Sequence, residues 1–403
     1  MPKLFEETRI KSLLLKNRIV RSATHEGMSD EAGFPGKELF ALYERLARGG
    51  AGLIITGYAF VSREGNSNFK GMQGIDRDEH IPAYRALVDH VHSHGAKIAM
   101  QIAHCGRQTT RKAAGTQPIA PSPVKDKVLF VTPMQMNEDD IERIIEAFAQ
   151  AARRARESGF DAVQIHGAHG YLVNQFLSPY TNRRKDRWGG PVENRMRIVS
   201  EIYSRCRKQI GHDFPLMIKI NGHDNMKKGL KIDEAVIMAQ VIAAMGFDGI
   251  EVSCGIFEDN QSTIRGDLPV EAILDEWDMY KRKNPVYRTF MRYLGRKIVK
   301  PAPFSQAYNL ETAMAIKKAV DIPVSVVGGM TDPSSMERII AGRAADYISM
   351  SRALIADPEF PEKIRTGSKA LSKCIHCNLC TAYLATKPLR CYRGKRSPAN
   401  QAV

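Results

Sequence analysis

Three side chains able to grip an oxygen and deliver a proton lie within six residues of one another: His166, His169 and Tyr171. They follow the apolar run Ala162-Val163-Gln164-Ile165, which reads as a buried strand. Two imidazole N–H donors and a phenol at the end of a strand can bind a developing oxyanion and protonate a neighbouring carbon. Gly167 and Gly170 allow the chain to turn sharply between them. A metal pair is the rival reading of His-x-x-His, but no third ligand stands nearby. A buried, hydrogen-bonded histidine pair is the plainer one.

The elements that must position this group recur along the chain. Apolar strand-like runs occupy Arg18–Ala23, Gly52–Thr56, Lys97–Ile102, Ala162–His166, Pro215–Ile220, Gly249–Val252, Pro323–Val327 and Tyr347–Met350, each followed by a helical pattern. In 138–158, Ile141, Ile144, Ile145 and Phe148 recur at helical spacing behind a candidate cap, Asn137. Eight strand–helix units predict an α/β fold, a (β/α)8 barrel, with a doubly wound sheet as the alternative. Residues 1–367 read as the barrel and 368–403 as a tail. Loops 57–80, 103–136 and 254–308 are long enough to cover a site.

Barrel chemistry sits at the C-terminal ends of strands. The seventh and eighth runs end in Gly328-Gly329-Met330 and Ser351-Arg352. Close backbone approach, a helix starting near Asp332 and a fixed cation together suggest a phosphate site. Gln101 and Lys219 end two interior strands, where polar groups need partners. They suit either a hydrogen bond across the barrel mouth or a flat polar cofactor.

Cys374, Cys377, Cys380 and Cys391 give C-x2-C-x2-C-x10-C, a spacing suited to a [4Fe–4S] cluster. All-thiolate zinc and an unmetallated remnant are the alternatives. The formal net charge is +15, and residues 281–300 hold eight cations and no acid. That stretch reads either as a lid over an anionic substrate or as a solvated helix. No apolar run is long enough to span a membrane and the start lacks a signal-peptide core, so a cytoplasmic location without a membrane partner is expected.

The motifs LKNRIV (15–20), MQIAHCGR (100–107), HGAHGYLVNQFLSPYTNRRKDRWGG with PVENRMR (166–197), VVGGM (326–330) and SMSRALIADP (349–358) resemble the old yellow enzyme family over residues 1–370. The resemblance implies FMN at the barrel mouth. Ala23, Thr24 and His25 would lie along the flavin edge, with Tyr58 nearby. Gln101 would meet the pyrimidine ring and Lys219 the N1/O2 end. Gly329, Met330, Ser351 and Arg352 would hold the phosphate. His166 and His169 would hydrogen-bond the substrate oxygen, and Tyr171 would protonate the α-carbon. This chain carries His25 where many members have Cys or Thr, and Tyr58 where a small residue is common. The tail resembles the cluster-bearing branch of 2,4-dienoyl-CoA reductase and trimethylamine dehydrogenase.

The expected function is FMN-dependent reduction of an activated alkene (enone, enoate or enoyl thioester), with NAD(P)H as donor. A separate electron-donor protein and a homo-oligomer are expected partners. The alternatives are a flavin/iron–sulfur electron carrier, an amine dehydrogenase-like enzyme and a tRNA dihydrouridine synthase-like enzyme. Nucleic acid is not the favoured partner.

Overall fold

In the computed structural model, which describes residues 2–259 and 262–394, eight parallel strands close into a barrel. They are β1 (Ile19–Arg21), β2 (Leu53–Ile55), β3 (Lys97–Ala103), β4 (Ala162–Gly167), β5 (Leu216–Asn221), β6 (Gly249–Ser253), β7 (Val324–Val327) and β8 (Tyr347–Met350). Pairing of β8 with β1 and of β3 with β4 completes the ring. The expected (β/α)8 barrel is the observed fold.

The outer layer includes α1 (Lys37–Arg48), α2 (His80–Ser93), α3 (Glu138–Glu157), α4 (Val192–Ile210) and α5 (Ile232–Met245). Helix α3 shows why these segments fold as they do. Asn137 Oδ1 accepts from the Asp140 backbone N–H at 2.8 Å, and Asp140 Oδ2 accepts from Asn137 N–H at 3.1 Å, a reciprocal cap. Ile141, Ile144, Ile145 and Phe148 are buried in the main core between strands and helices. A short hairpin of Thr8–Ile10 and Leu13–Leu15 supplies Ile10, Leu13 and Leu15 to a second core with Val20, Leu53, Ala99 and Met217.

The segment 254–308 is not the open loop its sequence suggested. It holds α6 (Val270–Glu276) and α7 (Pro285–Val299). Pro285 sits in the first turn of α7, and Asn284 Oδ1 caps it from Tyr287 N–H at 2.8 Å. Val270 and Leu274 pack against Met291 and Val299. Beyond it run α8 (Leu310–Ala319), α9 (Pro333–Ala341) and α10 (Arg352–Ala356). The tail expected over 368–403 is described to residue 394 and folds back on the barrel. Ser372 N–H donates to Thr331 O at 2.9 Å, and Leu389 N–H to Glu26 O at 2.7 Å. The remainder of that tail lies outside the described residues. No helix among the described residues is long and apolar enough to cross a membrane.

Candidate active site

Strand register assembles the floor of the site. Gln101 lies opposite Gln164, His166 opposite Lys219, and Lys219 opposite Glu251. Side chains on alternate positions share the barrel interior, so Gln164 and His166 point inward together, as do Glu251 and Ser253. A hydrogen-bond chain crosses the interior. Gln101 Nε2 donates to Gln164 Oε1 (2.6 Å), and Gln164 Nε2 to Glu251 Oε2 (2.9 Å). Lys219 Nζ stands 3.2 Å from the same carboxylate oxygen and donates to Ser22 Oγ at 2.9 Å. Burial draws the Lys219 ammonium below its ordinary range, opposed by Glu251.

The histidine and tyrosine group converges above this floor. The His166 and His169 rings are perpendicular with centroids 5.2 Å apart, and Tyr171 lies 4.8 Å from His166. His169 adopts a left-handed φ of 62°, unusual outside glycine. Its backbone N–H donates to Asn221 Oδ1 (3.1 Å), and its carbonyl accepts from Gln108 Nε2 (2.8 Å), which holds the strained turn. Burial, then His169 and Lys219, push His166 well below the usual imidazole range. Burial, then Lys219, push His169 down to about 3. Both rings are therefore neutral near pH 7. Burial raises the Tyr171 phenol well above its ordinary value, so it keeps its proton.

The two histidines are not equivalent, as the sequence had suggested. His169 Nε2 already bonds Ser253 Oγ at 2.7 Å. The ring of His166 has no hydrogen bond among the described residues, and its Nδ1 is buried without a partner. An orphaned buried polar group of this kind costs about 1–3 kcal/mol until a ligand satisfies it. Tyr171 Oη–H donates to Tyr58 Oη at 3.0 Å, and the Tyr58 ring stacks on His25 at 5.2 Å. His25 is fixed by a 3.0 Å bond from Nε2 to Lys70 O.

A single cavity joins this group to the expected phosphate end. Ala23, Thr24, His25, Tyr58, Gln101, His166, His169, Tyr171, Lys219, Gly328, Gly329, Met330, Ser351 and Arg352 all line it. Thr24 Oγ1 and Ser351 Oγ stand 2.8 Å apart, tying the β1 and β8 loops together.

At the phosphate end two expectations change. The start of α9 does not offer all its N–H groups to a ligand, because the Asp332 carboxylate accepts from Ser334 and Ser335 N–H, both at 3.1 Å. The two glycines also serve the chain itself. A Cβ at Gly328 would lie 2.5 Å from the Tyr308 ring, and one at Gly329 would lie 2.3 Å from Ser305 O. Arg352 is held by Arg265 O (2.7 Å) and Asn378 Oδ1 (2.6 Å). Sequence reading missed Arg265, whose guanidinium covers the Tyr308 ring at 4.5 Å. Neither arginine pairs with a carboxylate among the described residues, and Arg265 Nε has no partner. Of the two, Arg352 lines the cavity, and a guanidinium without a carboxylate partner fits a bound phosphate.

Other lining residues were also missed: Ser22, Phe69, Ser253, Phe257, Tyr308 and His376. Ser253 had a readable signal, since it follows Glu251 at the two-residue spacing of one strand face. Phe69, Phe257 and Trp277 form an aromatic wall with centroids 5.5–6.3 Å apart, drawn from three loops that no local pattern links.

The four tail cysteines line one small pocket with Arg352 and Asn378. Asn378 pins the loop by donating to Ile264 O (2.8 Å) and Asp267 O (2.9 Å). Burial raises the Cys380 thiol to about 11. No three of the sulfurs lie within 4.8 Å of one another. A four-thiolate zinc site, with Zn–S near 2.3 Å, holds its sulfurs about 3.8 Å apart. A four-iron cluster is larger and spreads its thiolates more widely.

The basic stretch lies elsewhere. Among the described residues none of 281–300 lines the cavity. Arg288 pairs with Asp275 (2.6 Å), Arg292 with Glu271 (2.9 Å) and Arg296 with Asp267 (3.1 Å). Three of the eight cations are thus paired with acids, and the stretch meets a second, apolar pocket through Met291 and Val299.

The NADH:flavin oxidoreductase / NADH oxidase family model matches residues 3–269 and 293–370. An NADH oxidase of Thermoanaerobacter brockii is 36% identical over 94% of this chain and 53% of its own length. An NADPH dehydrogenase of Listeria welshimeri is 32% identical over 89% of this chain and 93% of its own. The chain thus spans about half the length of the first relative and nearly all of the second. A 2-naphthoyl-CoA reductase solved with 2-naphthoyl-CoA superposes with a TM-score of 0.81 at 25% identity, over 95% of this chain and 56% of that one. The chain belongs to the NADH:flavin oxidoreductase / NADH oxidase family, the old yellow enzyme family its motifs resembled.

Proposed function

We propose that this chain is an FMN-dependent oxidoreductase that reduces the C=C bond of an activated alkene at the expense of NAD(P)H. The carrying observation is His166, a neutral, buried imidazole without a hydrogen bond, facing one cavity with the protonated phenol of Tyr171. FMN, when bound, supplies the hydride for the β-carbon. Gly329, Met330, Ser351 and Arg352 would hold its phosphate, and Lys219 and Gln101 its pyrimidine end. His166 donates to the carbonyl oxygen of the substrate, and the free nitrogen of His169 adds a second contact. Ser253 and Asn221 keep His169 in place. Tyr171 gives its proton to the α-carbon, turning its O–H from Tyr58 Oη, which stands 3.0 Å away and holds the phenol in place at rest. The names of the two dehydrogenase and oxidase relatives support a nicotinamide donor.

The tail cysteines support a [4Fe–4S] cluster, and Arg352 lines both their pocket and the main cavity. That shared residue favours electron entry through the tail, from a separate donor protein, as a second route to the flavin. An RNA substrate is less favoured, since none of the basic stretch lines the main cavity among the described residues and three of its cations pair with acids.

The test is NAD(P)H oxidation by anaerobically purified protein, with and without 2-cyclohexenone. Enone-stimulated oxidation with a saturated ketone as product is expected. Bound flavin with no enone turnover, together with exchange with a reduced ferredoxin-type donor, would replace the reading with an electron carrier.

A further inference from the structure

Apart from the barrel mouth and the tail cysteines, the described residues place a further group of convergent ligand atoms. It sits where α1 packs on α2. His90 lies in the last turn of α2 and His94 caps its end, so their spacing of four puts both rings on one face. Glu44 on α1 meets them. His90 Nε2 is 3.2 Å from Glu44 Oε2, and His94 Nε2 is 3.8 Å from Glu44 Oε1. The three ligand atoms all lie within 4.8 Å of one another. Two nitrogens and one carboxylate oxygen, each about 2.0–2.2 Å from a tetrahedral ion, stand roughly 3.4 Å apart.

The surroundings favour a bound ion over a chance encounter. The imidazole rings are perpendicular at 5.0 Å, and each presents its Nε2 to the carboxylate. Phe40, one turn before Glu44, packs on the His90 ring at 5.7 Å and limits its rotation. His94 is 19% exposed and Glu44 33%, which leaves room for a water as fourth ligand. One competitor is present: Arg48 Nε stands 2.9 Å from Glu44 Oε1. Its guanidinium is 64% exposed and can swing into solvent.

We propose that Glu44, His90 and His94 form a surface site for one divalent first-row transition ion such as Zn²⁺ or Ni²⁺, which staples α1 to α2. Imidazole with one carboxylate suits these ions and not Mg²⁺ or Ca²⁺, which prefer all-oxygen shells. The site is separate from the tail thiolates and takes no part in the flavin chemistry.

The probe is Ni²⁺, titrated calorimetrically into the holoenzyme and followed in parallel by the unfolding temperature. Wild-type protein should bind one Ni²⁺ per chain at this site and gain thermal stability. His94→Ala should weaken that event at least about tenfold and abolish the stability gain. Glu44→Gln should do the same, which a simple histidine pair would not show. Cys377→Ser should leave the event in place. Flavin content and NAD(P)H oxidation should be unchanged in the His94 and Glu44 variants, showing that they are folded. Ni²⁺ binding in His94→Ala and Glu44→Gln equal to wild type overturns the proposal. So does a wild type whose only Ni²⁺ event disappears in Cys377→Ser.

Discussion

Two neighbouring cavities of similar size are built on opposite plans. The barrel-mouth cavity, about 240 Å³, is fixed by strand register and lined by polar groups that hold one another. The second, about 270 Å³, lies between α6, α7 and residues 127–128 and 257–258. Its walls are Leu268, Val270, Ile273, Leu274, Met291 and Val299, with Trp277 and Tyr280, and no barrel strand contributes. Phe257 lines both. The family model stops at 269 and resumes at 293, so α6 and the start of α7 fall outside its match. The contrast teaches that a closed sheet can pin a reacting group to within an ångström, whereas packed short helices shape an apolar volume. The first region holds the candidate catalytic groups, and the second is an apolar space beside it that shares Phe257.

The largest expected effect tests the polar register. Glu251→Ala strands the buried Lys219 ammonium and should cost about 3–5 kcal/mol of stability, read as a fall in urea midpoint and in retained flavin. A near-neutral outcome would mean that the crossing hydrogen-bond chain does not hold the barrel mouth. Next comes Tyr171→Phe, which should slow alkene turnover by about a hundredfold while flavin reduction by NAD(P)H proceeds normally in stopped flow. If both half-reactions slow together, the phenol positions the flavin instead.

Smaller effects belong to the second cavity. Trp277→Ala and Leu274→Ala should change KM for a two-ring enone by about tenfold and leave cyclohexenone unaffected. Equal changes for both substrates would dissolve the distinction between the regions. The mildest effect near neutrality is the pH response. His169 is held at about 3 when folded, against an ordinary value of 6.5. Between these values the unfolded chain binds a proton that the folded one does not. Stability is therefore full above 6.5 and is lost as pH falls toward 3. His169→Gln should flatten that slope in urea titrations between pH 6.5 and 4.

Much of the first region was legible. Each apolar run became a strand within about two residues of its expected ends, because half-buried and buried strands carry their pattern locally. Asn137 was readable for the same reason, since a cap acts over three residues. Glu251 and Gln164 were visible as lone polar residues in apolar runs, yet their partners were not, because a pairing across the barrel joins residues far apart in sequence. The second region was hardly legible at all. A stretch with eight cations in twenty residues suggested an anion-binding lid, and only the fold brought Asp267, Glu271 and Asp275 beside three of them.

The sequence by itself determined the barrel and the delivery of His166, His169 and Tyr171 to its C-terminal face. Strand–helix alternation and the position of a residue at a strand end are local properties. Only the tertiary structure decided which histidine nitrogen is already bonded, which arginines lack a carboxylate partner, and that the tail sulfurs share one pocket. Those outcomes depend on Ser253, Arg265 and Asn378, whose distance from their partners along the chain is erased only by folding.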